Sequence, residues 1–213
     1  MTYPDRMRQT PVRPLLIAAL AAGTALLLGG CGSTPTAPLA PPTITASASP
    51  TPSSTPTAQA AAFTMPKDCT SMLPQTRLDA FAHDKLVLLG GPGGLYGDTY
   101  LLEKTPEEQA GGITCIWGDE AVATSTITIS VAPLSPATRA GIVANLVSQN
   151  LNEGQLPGAI TYSQLGDEVS SPAVLNVLRN QSWISVIEAL GGEVFFDEAT
   201  TIQGEVAAQV SAG

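Results

Sequence analysis

Residues 32–62 carry no charged side chain and are built of Pro, Thr, Ser and Ala, with Pro35, Pro38, Pro41, Pro42, Pro50, Pro52 and Pro56 spaced through them. A stretch with so little to bury cannot offset the ordering entropy of its own backbone, so it is expected to stay extended, part polyproline II and part coil. It divides the 213-residue chain into a short leader and one foldable body, residues 63–213. At about 3.1 Å per residue the stretch spans at most roughly 95 Å, which suits a stalk. Its Ser and Thr beside Pro also suit O-glycosylation, and a bare spacer explains them equally well.

The leader has its own pattern. Arg6, Arg8 and Arg13, against the lone Asp5, precede an apolar run over residues 15–28 that only Gly23 and Thr24 interrupt. At about 14 residues the run is too short for a spanning helix, which takes roughly 20. Leu28-Gly29-Gly30-Cys31 closes it as a lipobox, with small residues for a signal peptidase and a thiol to take a diacylglyceryl group. Residues 1–30 are therefore read as a lipoprotein signal peptide, Cys31 as the lipidated first residue of the mature chain, and residues 31–62 as its linker. A plain secretory signal or an uncleaved anchor is the alternative. One acyl chain holds marginally, at about 0.8 kcal/mol per buried methylene, whereas two or three, palmitate among them, anchor stably. The expected location is the cell membrane, on its extracytoplasmic face, with the protein tethered and not spanning.

Cleavage would also change the charge. The whole chain carries −9, and the leader's three Arg and one Asp contribute +2, which leaves −11 from Cys31 onward. Six cationic residues remain, Lys67, Arg77, Lys85, Lys104, Arg139 and Arg179, and they are scattered. Such a surface repels polyphosphate and offers no footprint for nucleic acid or anionic lipid. Solubility by like charge accounts for the acidity without any partner.

Three cysteines make an odd count until lipid takes Cys31. Cys69 and Cys115 then remain, and outside the cytosol such a pair is most simply a disulfide. Closing a loop of about 46 residues stabilises by up to roughly 4 kcal/mol in the chain-entropy picture. No metal site is expected, because His83 is the single histidine and the Cys spacing fits no zinc pattern. No cofactor is expected either.

Within residues 63–213 the periodicities alternate between helix and strand. Met72, Leu73, Leu78 and Phe81 recur at near-helical spacing, and Pro74 places the helix start near Leu73. Residues 85–89 read as a short strand, and residues 90–97 as a mobile Gly-rich loop. Thr105-Pro106-Glu107-Glu108 supplies an N-cap, a proline at the first helical position and a capping-box Glu. Ile113, Cys115 and Trp117, then Ile127, Ile129 and Val131, alternate with Thr114, Thr128 and Ser130 as two strands of an antiparallel pair joined by residues 118–124. Ser135-Pro136 opens a helix with Ile142, Val143, Leu146 and Val147 on its buried stripe. Strands follow at 159–164, 174–178 and 183–189, then a break at Gly191-Gly192. Phe195, Ala199, Ile202, Val206 and Val210 mark a C-terminal helix. The expected fold is α+β, a mainly antiparallel sheet packed with helices as an α/β sandwich in a single domain.

Candidate chemistry is sparse. His83 is the only base for a hydrolase triad and reads as a surface or helix-end residue. The Gly-rich loop lacks the Lys-Ser/Thr of a P-loop; Tyr96 and Tyr100 beside it are candidates to line a ligand site. Gly118-Asp119-Glu120 and Gly166-Asp167-Glu168 repeat one tripeptide after predicted strands. Carboxylates about 5 to 9 Å apart would serve glycoside hydrolysis, but turn chemistry explains both tripeptides more simply. No calcium-loop spacing occurs. Trp117 shares a strand face with Cys115 and is expected to pack over the disulfide, with a sugar-stacking platform as the alternative.

Cys69 before a Leu-containing helix, Cys115-Ile116-Trp117 opening a strand pair, and Leu165-Gly166-Asp167-Glu168 before a hairpin containing Trp183-Ile184-Ser185-Val186 together resemble the uncharacterised lipoprotein domains of actinobacterial envelopes, with paired Cys and a Cys-x-Trp motif. The resemblance covers most of residues 63–213, the Gly-rich loop being a departure from it. It implies a compact α/β sandwich outside the membrane, one disulfide and no catalytic residue. The expected function is a lipid-anchored binding or accessory module of the cell envelope, not an enzyme, whose partner is an envelope protein, a glycan or a small ligand. The alternative is a carboxylate-dependent cell-wall hydrolase using Asp119, Glu120, Asp167 or Glu168.

Overall fold

The computed structural model describes residues 62–211. The signal segment, Cys31 and the linker as far as residue 61 lie outside the described residues. After a 3-10 turn at Thr70–Met72 come α1 (Gln75–His83), β1 (Val87–Gly90), a second 3-10 turn at Gly97–Thr99, α2 (Pro106–Gln109), β2 (Ile113–Asp119), β3 (Val122–Pro133), α3 (Pro136–Ser148), β4 (Asn152–Leu156), β5 (Ala159–Gln164), β6 (Ala173–Leu178), β7 (Ser182–Glu188) and α4 (Glu193–Val210). The strands form one sheet in the order β1-β2-β3-β7-β6-β5-β4, and every neighbouring pair is antiparallel. The fold is thus α+β with an antiparallel sheet.

Period-two alternation sorts the strand residues onto two faces. Cys115, Trp117, Ile127, Ile129, Val131, Ile184 and Val186 look one way and meet Phe81 of α1 and Ala199, Ile202, Val206 and Val210 of α4. Ala132, Leu178 and Trp183 look the other way and pack with Leu134, Tyr162 and α3, through Leu146, Ile142 and Val143. Helices therefore pack on both faces of the one sheet. The helix α3 carries the chain from β3 in mid-sheet to the far edge at β4, and β4 to β7 then return as a meander.

Local chemistry explains the element ends. Thr105 and Glu108 make both bonds of the capping box, Glu108 N to Thr105 Oγ1 at 3.2 Å and Thr105 N to Glu108 Oε2 at 2.9 Å. Ser135 and Thr138 do the same for α3. Cys69 and Cys115 are bonded, with Cα atoms 5.6 Å apart, and both are fully buried.

Three expectations need correction, and one strand is new. Residues 118–124 are not a loop: β2 and β3 extend to pair Asp119 with Val122 across a bulge, leaving a tight turn between them. Val147 is 54% exposed, because α3 presents Leu146 inward and 147 lies one residue round the helix. The strand β4 was not expected at all. The Gly-rich loop is folded back on β1 by Leu95 N–H to Leu88 O and Tyr96 N–H to Leu89 O, and Gly91 N–H donates to Gly97 O. Gly91, at φ 94°, sits where a Cβ would meet Thr114 O at 2.2 Å and the Cys69 sulfur at 3.1 Å, so the loop seals the disulfide.

On the α1/α4 face, Arg77 donates to Glu205 (2.7 Å) and Glu198 (2.8 Å) and lies 5.7 Å from the Phe81 ring, which in turn stands 5.2 Å from Trp117. Arg77→Leu should cost about 2 kcal/mol in a urea melt, less than the roughly 3–5 kcal/mol of a fully buried pair because Glu198 is partly solvated. An unchanged midpoint would show the pair to be idle.

Candidate functional site

The residues singled out from sequence do not converge on one site: Tyr96 meets Tyr100 and Glu120 at the surface, while Trp117 lies in the core with Cys69 and Cys115. His83 ends α1, is exposed, and its Nδ1 lies 2.9 Å from Asp84. Asp119 accepts from Ala121 N at 2.8 Å and Glu120 accepts from the Tyr96 hydroxyl. Asp167 accepts from Val169 N (2.9 Å) and Ser170 N (2.7 Å), which hold its carboxyl at about 2, too low for it to serve as a general acid near neutral pH. Glu168 is exposed. Tyr96 and Tyr100 stand 5.9 Å apart on the surface. Trp117 is buried in the core cluster that also holds Cys69 and Cys115, which fits packing and leaves no face for a sugar.

What the sheet does bring together is a row of polar residues on its α3 face. The register places Thr114 opposite Ser130, Ser130 opposite Ser185, Ser185 opposite Asn176, and Asn176 opposite Tyr162, so one row crosses five strands. All five are buried. Thr105 Oγ1, Thr114 Oγ1 and Ser130 Oγ form a hydroxyl chain with links of 2.7 and 2.9 Å. Asn176 takes the Trp183 indole proton at 2.9 Å.

A cleft of about 170 Å³ opens over this row, with Ser130, Ser185, Asn176 and Trp183 as floor and Asn145 and Gln149 of α3, both exposed, at its mouth. Glu107 of α2 lines the cleft and is 6% exposed. It is forced inward because α2 sits hard on β3: Gly112 N–H donates to Glu107 O at 2.8 Å, and a Cβ at Gly112 would meet Val131 O at 2.3 Å. Burial pushes the Glu107 carboxyl up; bonds from its own backbone N–H and from the Ser185 and Thr105 hydroxyls pull the other way, and nearby Glu108 pushes it up further.

A larger groove, about 510 Å³, runs between the 157–158 and 179–182 turns beside Phe63 and Ser211. Arg179 spends a nitrogen on Pro157 O at 3.5 Å there, and Gln181 accepts from Phe63 N at 3.4 Å. Among the described residues no acidic one lines it, and only Ser182 among its polar linings is buried. Orientation of a ligand needs converging, desolvated polar groups, so the smaller cleft is the better site.

Glu107 escaped the sequence reading because an acidic residue in the first turn of a helix is expected for the helix dipole alone. The alternating Thr114, Thr128 and Ser130 read as the polar side of a half-buried sheet. The usable signal was the amphipathic α3, which needs a sheet face to cover. Comparison with protein-family models, with curated proteins and with solved structures finds no match to this chain.

Proposed function

We propose that the chain is a lipid-anchored, extracytoplasmic binding module that takes a small ligand in the cleft lined by Glu107, Ser130, Asn176, Trp183 and Ser185. The observation carrying this reading is a nearly buried carboxylate meeting an in-register row of hydroxyls and an amide in an accessible cleft. The buried Cys69–Cys115 bridge supports an oxidising compartment, in keeping with the lipobox and stalk and with the resemblance to envelope lipoprotein domains. Among the described residues no helix is long and apolar enough to cross a membrane. The hydrolase alternative has no such support, since none of its four carboxylates lines the cleft and Asp119 and Asp167 bind backbone N–H groups of their own loops.

The chain has two tryptophans, and they report from opposite faces of the sheet. Titrating the full chain with a small-molecule extract of its own cell envelope should shift the Trp183 indole N–H resonance and leave that of Trp117 in place. Two stationary resonances, or equal movement of both, would remove the cleft from the account.

A further inference from the structure

We infer that the cleft is built for a short amphipathic primary amine, whose ammonium group pairs with Glu107 and whose apolar body lies against Leu146, Val174, Ile187 and Trp183. The inference rests on the cleft being the binding site and adds the class of ligand.

Charge makes the first argument. The ion pairs among the described residues are Arg77 with Glu198 and Glu205, and His83 with Asp84, and none involves Glu107. Among the described residues no Lys, Arg or His lines the cleft. The groups acting on Glu107 are the neutral hydroxyls of Ser185 and Thr105 and the Glu108 carboxylate, and Thr128, Ser130, Asn145, Gln149 and Asn176, which share the cleft with it, are all neutral. A carboxylate this deep, without a cation, is costly to keep ionised, and a ligand ammonium supplies the missing partner where the protein does not. Burial already pushes this carboxyl up, as an unpaired acid requires.

Geometry makes the second. An ammonium has three hydrogens; the Ser185 hydroxyl oxygen stands beside the carboxylate, that of Ser130 lines the same cleft, and each is able to accept. The apolar part of the lining is Pro106, Leu146, Val174, Ile187 and the Trp183 ring, beside the neutral polar Thr105, Thr128, Asn145, Gln149 and Asn176. At about 30 Å³ per water the cleft holds roughly five or six waters, so the buried part of a ligand has about that many heavy atoms. An anion would face Glu107 unpaired.

Calorimetric titration of the full chain with butylammonium, butan-1-ol and butyrate separates these chemistries at nearly constant shape. Butylammonium should bind at least about tenfold more tightly than butan-1-ol, a difference of about 1.4 kcal/mol. Butyrate should not bind, and the Trp183 indole N–H should shift with the amine. Glu107→Gln, close to isosteric, should erase the preference for the amine over the alcohol while the alcohol still binds. Equal or tighter binding of butan-1-ol or butyrate to the unaltered chain would overturn the inference without needing the variant. If the envelope extract moves Trp183 but butylammonium does not, the amine inference falls and the cleft reading stands. If neither moves it, both fall.

Discussion

Replacing both bridge cysteines, Cys69→Ala with Cys115→Ala, should lower the unfolding free energy by about 4 kcal/mol. The bridge spans 46 residues of sequence, so its loss frees a long loop in the unfolded chain. In the native state it ties the segment before α1 to the centre of β2, beneath Gly91, with both sulfurs in the core shared by α1, α4 and three strands. Alanine is the right replacement because serine would leave hydroxyls in an apolar core. For a domain whose whole stability is about 5–15 kcal/mol the loss is a large fraction. Urea melts of the oxidised chain and the double variant measure it, and the variant's steeper denaturant dependence should report its more expanded unfolded state. A difference below about 1 kcal/mol would mean that the bridge constrains little.

The second large effect is a fall in stability as pH rises. Glu188 ends β7 on the α4 face, is 5% exposed, and has a side-chain oxygen without a partner. Burial first, then the neighbouring Glu198, pushes its carboxyl from 4.5 to about 8, against a smaller opposing pull from Arg77. Between those two values the native state keeps a proton that the unfolded chain has lost, so stability falls by up to about 1.4 kcal/mol per pH unit. Below 4.5 both states hold the proton and the effect vanishes; above about 8 both have lost it and the penalty is complete. Glu107 shifts in the same direction and adds to the slope. Asp167, held at about 2, acts oppositely, stabilising above the ordinary carboxylate value and losing that only in strong acid, outside this window. Urea melts at pH 5, 6, 7 and 8 should show a decline that Glu188→Gln removes in large part and that Glu107→Gln reduces further. A flat or rising profile, or a Glu188→Gln chain with the original slope, would contradict this account.

Much of the sheet was legible because its strands obey one rule. In β5, β6 and β7 β-branched and aromatic residues run between turn signals, and α4 repeats Ala199, Ile202, Val206 and Val210 on one stripe, so sequence spacing and structure agree. The strand β4 was not legible, since Asn152, Glu153, Gly154 and Gln155 have little strand preference and are held there by pairing with β5. Even its glycine is imposed from outside, because a Cβ at Gly154 would meet Thr161 Oγ1 at 2.7 Å. The site was hidden for a related reason. Alternation tells which residues share a face of β2 and β3 but not whether a helix covers that face, and Glu107 becomes a site residue only once α2 and α3 close over Ser130 and Ser185. Of the four carboxylates read as turn residues, Glu120 and Glu168 lie in turns, whereas Asp119 ends β2 and Asp167 forms a β-bridge with Ser171.

Everything proposed about place, from the oxidising compartment to the stalk that holds the cleft above a surface, depends on Cys31. The direct measurement is the intact mass and N-terminal peptide of the full protein isolated from the membranes of its own cells. The account predicts a chain that begins at Cys31 and carries diacylglyceryl and acyl mass on that residue. A chain that keeps residues 1–30, or a Cys31 with a free thiol, would contradict it.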